Sequence, residues 1–111
     1  MLVPIEGTPL GDSPPISVTE MARAIATCRV VFPKSWVRLS AGREGMSEGE
    51  QALLLLAGAN SIFVGDRLLT TDNPGEDRDG KLLDAVGFET AGREDMERGP
   101  AKAKKTLIDA R

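Results

Sequence analysis

The chain has 111 residues, of which 41% are hydrophobic and 28% charged, the composition of one small globular domain or a part of a larger one. Fourteen basic against 17 acidic residues leave a net charge of −3, so there is no basic field to recruit nucleic acid or anionic lipid, and no apolar run approaches the roughly 20 residues a membrane span requires. The absence of histidine and the single cysteine, Cys28, exclude a Ser-His-Asp triad, a Cys-His pair and any histidine or four-thiolate metal site built from this polypeptide alone.

The opening Met1-Leu-Val-Pro-Ile reads as a short apolar strand that starts at the first residue without a lead-in, as if cut into, and it does not have the form of a secretory signal. Gly7 to Pro15 is turn chemistry, rich in Pro, Gly and Asp. A helix is predicted from Val18 to Val31, capped by Ser17 or Thr19, with Ala22, Ile25, Ala26, Arg29 and Val30 at helical spacing and Pro33 beyond its end. Trp36 to Ser40 follows as a strand running into the turn Ala41 to Gly45. Ser47 and Glu50 form a capping box, predicting a helix from Glu48 to Ala57 whose run Leu53 to Leu56 is apolar nearly all round and expected to be buried; Gly58 stops it. Ser61 to Val64 is a third strand, Asp66 to Gly75 a polar loop, and Glu76 to Val86 a short helix ending at Gly87. Thr90 to Arg111 is a charged tail, either weakly helical near Ala101 to Ile108 or disordered.

Strand-helix alternation with continuous apolar strands predicts an α/β fold with a parallel sheet covered by helices. Three such units do not complete a common α/β domain, since an eight-stranded barrel takes about 250 residues. The chain therefore reads as the end of something larger.

Four blocks make the reading specific. GTPL at Gly7 to Leu10, PKSWVRLSAGRE at Pro33 to Glu44, QALLLLAGANSIF at Gln51 to Phe63 and LLTTDNPGEDRD at Leu68 to Asp79 resemble, in order and spacing, the carboxy-terminal part of the biotin synthase family. The resemblance spans residues 1 to 88 and leaves 89 to 111 as a tail of no recognised kind. It implies the last three β-α units of a (β/α)8 barrel, incomplete as a barrel, from a radical S-adenosylmethionine enzyme that inserts sulfur into dethiobiotin. In that family a four-iron four-sulfur cluster on a CxxxCxxC loop cleaves S-adenosylmethionine, and a two-iron two-sulfur cluster held by three cysteines and one arginine donates the sulfur. The resemblance places that arginine at Arg38 and puts a serine near it at Ser61, which would donate a hydrogen bond beside the cluster.

The residues themselves support a special role for Arg38 without naming it. A guanidinium left unpaired on the inner face of an apolar strand costs several kcal/mol, so it must meet an anion, a metal cluster or a carboxylate. Strand alternation alone would instead point it to the surface or into an ordinary ion pair. Arg43 and Glu44 read as a structural ion pair or a helix cap, and Asn60 as a turn residue bonding backbone. Cys28 matches no cluster cysteine and reads as a small buried hydrophobe. The acidic set Asp72, Glu76, Asp77 and Asp79 lacks EF-hand spacing and reads as a solvated loop leading into a helix.

The departures are large. The radical-cluster loop, the three cysteines of the two-iron site and most of the substrate pockets have no counterpart here, the substrate-contacting asparagine of the family would fall just before Met1, and Leu54 stands where the family often has cysteine. The expected function is the carboxy-terminal portion of a cytoplasmic biotin synthase, inactive alone, arising by truncation, an internal or misplaced start, or a split enzyme. Its partner would be the missing amino-terminal barrel portion or a second copy of itself, with no nucleic acid and no membrane. The rival is a non-enzymatic docking module that pairs with a partner barrel or oligomerises through uncovered sheet edges. A thiamin-synthesis relative is a third reading, against which RLSAGRE and GANSIF point to the biotin branch.

Overall fold

The computed structural model describes residues 4–68 and 71–92. Its elements run α1 (Val18–Val31), β1 (Arg38–Leu39), α2 (Glu48–Ala57), β2 (Ser61–Ile62), β3 (Arg67–Leu68), β4 (Thr71–Asp72) and α3 (Glu76–Val86), with a 3-10 turn at Arg43–Gly45. All three helices take the bounds predicted for them, because each carries its own punctuation. Ser17 and Ser47 accept from the amides of Glu20 and Glu50, whose carboxylates reach back, so both capping boxes form. Gly58 and Gly87 close α2 and α3 at positive φ, where a side chain would be strained.

The strands are shorter than expected. β1 and β2 pair in parallel with Arg38 opposite Ser61 and Leu39 opposite Ile62, giving the predicted α/β arrangement with a two-stranded parallel sheet among the described residues. The segment expected as a polar loop instead contains an antiparallel pair, β3 with β4, where Arg67 faces Asp72 across the ladder at 3.3 Å. The expected first strand and the end of the tail lie largely outside the described residues; Pro4 and Ile5 belong to no strand.

The core is formed by Ile25 of α1, Leu39 of β1, Leu54 and Leu55 of α2 and Leu82 of α3, with Met46 and Ala59 from the turns on either side of α2. Each buried Leu or Ile contributes about 1.5–3 kcal/mol of apolar burial, and the core is small. The expectation that α2 is buried all round is corrected. Leu54 and Leu55 are buried in the core, whereas Leu53 and Leu56 remain 44% and 59% exposed, because no described element covers that side. Val30, Val31 and Phe32 at the end of α1 are exposed as well.

Candidate functional site

Alternation along β1 sends Leu39 into the core and leaves Arg38 on the opposite, open face. The parallel register brings Ser61 alongside, and Arg38 Nε donates to Ser61 Oγ at 3.1 Å. Both residues singled out from the sequence thus meet on one face. The two Nη groups of Arg38 have no hydrogen-bond or ion-pair partner among the described residues, leaving planar donors free to meet an anion. An apolar cavity of about 420 Å³ lies nearby, lined by Arg38 together with Ile16, Met21, Ile25, Met46 and Leu54.

Two residues form too short a ladder to hold this register, and contacts beyond each end supply the rest. At the amino-terminal end, Asn60 Oδ1 accepts from Val37 N at 2.8 Å and its Nδ2 donates to Ser35 O, as the turn reading expected. The Arg29 guanidinium there donates to Gly58 O through Nε and Nη2 at 3.0 and 2.7 Å, and through Nη1 to the carbonyls of Phe32, Pro33 and Ser35. It sits where α1 and α2 both end, against carbonyls carrying the negative pole of each helix.

At the carboxy-terminal end, Arg43 is 1% exposed and forms a bidentate pair with Asp79 at 2.6 and 3.0 Å. The same guanidinium donates to Gln51 Oε1, Asn73 Oδ1 and, at 2.7 Å, to Phe63 O just past β2. Asn73 Nδ2 donates to Phe63 O and Gly65 O, and Gln51 Nε2 to Arg43 O and Met46 O. Arg43 is therefore ion-paired as one sequence reading had it, though across to α3 rather than with its neighbour; Glu44 pairs separately with Arg78 at 2.8 Å.

Two expectations are corrected here. Asp79 is buried, not solvated, because it is the counter-charge Arg43 requires. Cys28 is exposed, because the apolar face of α1 is centred on Ile25 and Cys28 lies off it. Among the described residues no group of three or more Cys, Asp or Glu is placed to hold a metal ion. Sequence reasoning missed Asp79, Gln51 and Asn73 as partners. A signal existed for two of them: Asp79 heads the stripe Leu82, Leu83, Val86, and Gln51 heads Leu54, Leu55, so a polar side chain begins an apolar face on each helix.

Next to this node, the Ser47 backbone amide and then its hydroxyl, both bonded to the Glu50 carboxylate, hold that carboxyl below its ordinary value of 4.5.

A family model described as the Biotin and Thiamin Synthesis associated domain matches residues 1–89. Curated relatives agree. Biotin synthase of Hyphomonas neptunium is 71% identical over 86 residues, covering 78% of this chain and 27% of that protein. Those of Acinetobacter baylyi and Polaromonas naphthalenivorans are 56% identical over 88 residues and 55% over 91, covering 79% and 82% of this chain and 27% and 26% of theirs. The chain thus spans about a quarter of the length of the curated relatives it matches.

Proposed function

The chain belongs to the family of the Biotin and Thiamin Synthesis associated domain, and from that premise we propose that it is the carboxy-terminal portion of a biotin synthase, active only together with the rest of the enzyme. The complete enzyme converts dethiobiotin to biotin by radical sulfur insertion. In this reading β1 and β2, with the three helices, are the last β-α units of a (β/α)8 barrel, residues 1–88 form the barrel portion and 89–111 a charged tail. The partner is the amino-terminal barrel portion, or a second copy of the chain, in the cytoplasm. No helix among the described residues is long and apolar enough to cross a membrane.

The observation that carries the proposal is the Arg38–Ser61 pair, with the Nη groups of Arg38 unpartnered on the open face. Those residues fit one side of a two-iron two-sulfur cluster and no more, so the three thiolates must come from the partner portion. When bound, that cluster supplies the sulfur inserted into dethiobiotin. Arg38 would hold it through its Nη edge. Ser61 fixes the orientation of the guanidinium by accepting from Nε, which keeps the Nη edge turned to the open side. The four-iron four-sulfur cluster and S-adenosylmethionine belong to the partner portion.

To test this, the chain is combined with the amino-terminal three quarters of the Hyphomonas neptunium relative and reconstituted with iron and sulfide. Two-iron absorption and biotin formation are expected only in the mixture, and Arg38→Lys is expected to alter the two-iron spectrum. A cluster spectrum or S-adenosylmethionine cleavage from this chain alone would refute the proposal.

A second reading, a non-enzymatic docking module, draws on the exposed Leu53 and Leu56 of α2. A stable, cooperatively melting monomer that ignores the amino-terminal portion would favour it.

A further inference from the structure

We infer that Arg43, paired with Asp79, is a positioning residue for the Arg38–Ser61 pair, an inference that rests on reading that pair as the cluster side of the site. The β1–β2 ladder has two residues per strand, so it cannot by itself fix which rotamers and which register Arg38 and Ser61 adopt. Past Leu39 the pairing continues only through the Phe63 amide, which donates to Leu39 O at a long 3.4 Å. The next carbonyl, Phe63 O, is held by Arg43 Nη2 at 2.7 Å and by Asn73 Nδ2 at 3.1 Å. Phe63 lies two residues beyond Ser61, and Arg43 five beyond Arg38, so this single guanidinium ties the outgoing ends of both strands to each other.

Asp79 makes the tie rigid. Its two oxygens take one N–H from each Nη, which fixes the plane of the fork and hence the direction in which Nη2 meets Phe63 O. A buried ion pair is a poor device for stability alone, since apolar side chains of similar volume serve as well; here the bidentate contact holds the plane of the guanidinium. Arg43 even forgoes satisfaction at Nε, which is buried without a partner among the described residues, while both Nη groups are engaged. The arrangement favours placement of Phe63 O over economy of hydrogen bonding.

The experiment uses the full chain, labelled with nitrogen-15, and follows the Arg38 Nε–Hε cross-peak and its exchange with water. The double variant Arg43→Met with Asp79→Leu removes the tie while filling the site with apolar side chains. It is expected to keep its helical circular dichroism and melt close to the parent, while Arg38 Hε exchanges about tenfold faster, the equivalent of losing one hydrogen bond. Arg43→Lys retains a charge for Asp79 but has no second arm for Phe63 O. It is expected to stay folded and to speed Arg38 Hε exchange as well, and it decides the matter if the double variant does not fold. An unchanged Arg38 cross-peak in either folded variant would overturn the inference and leave Arg43 a packing element. The readout needs no iron, so failure of cluster assembly, which would sink the proposed function, leaves this result separately legible.

Discussion

Two arginines bracket the β1–β2 pair and solve the same problem by different means. Arg29, half-buried at the start of the pair, meets only backbone carbonyls among the described residues. Arg43, buried at the far end, meets a carboxylate as well as a carbonyl. The contrast follows from solvation. A guanidinium still touching water loses little of its hydration and is content with the partial charges of two helix ends. One taken fully out of water needs a whole opposite charge. Since Asp79 sits on α3, the far end closes only when α3 docks, whereas the near end depends on α1 and α2 alone.

Substitutions can break this contrast. Asp79→Ala leaves Arg43 buried and unmatched, and is expected to lower unfolding free energy by about 3–5 kcal/mol in denaturant titrations. Gly58→Ala attacks the near end twice. A Cβ there would stand 2.7 Å from Arg29 Cβ and sit at a φ of +134°, and the backbone strain alone is expected to cost about 1–3 kcal/mol in the same titration. Arg29→Met keeps the apolar stem and lets water replace the guanidinium, for an expected loss of about 1–2 kcal/mol. If it costs as much as Asp79→Ala, the distinction between the two ends fails.

The smallest effect is set by pH. The carboxyl of Glu50 is held below its ordinary value of 4.5 in the fold, so the stability it contributes is present above that value and lost as pH falls through the lower, folded one. Amide protection at residues 47–50, taken relative to intrinsic exchange at each pH, is therefore expected to fall on acidification below about pH 4.5 before that at Ala59 and Asn60, whose turn is held by Arg29 and carbonyls.

How far the sequence was legible divides along the same line. Caps at Ser17 and Ser47 and the stop at Gly87 act within a few residues, so all three helices are legible in the sequence. The pairing of Arg38 with Ser61 came from a family resemblance; spacing alone left Arg38 between surface and site. Arg43 with Asp79 spans 36 positions, and nothing local marks a carboxylate as someone's distant partner, so from the sequence Asp79 reads as solvated. The exposure of Leu53 and Leu56 is illegible for a different reason: four consecutive leucines announce burial, but which side of the helix is covered is decided by tertiary packing, not by any local pattern.

The lateness of Asp79 in the chain has a consequence for biosynthesis. As the polypeptide leaves the ribosome, Arg43, α2 and β2 emerge well ahead of α3, and until Glu76 to Val86 follows, the Arg43 cation has no anion to accompany it indoors. It must wait in water, and the corner it will seal stays ajar. Translation order therefore makes the far corner of the sheet mature after the near one, and a nascent product stalled ahead of α3 would carry α1 and α2 without a finished platform for Arg38.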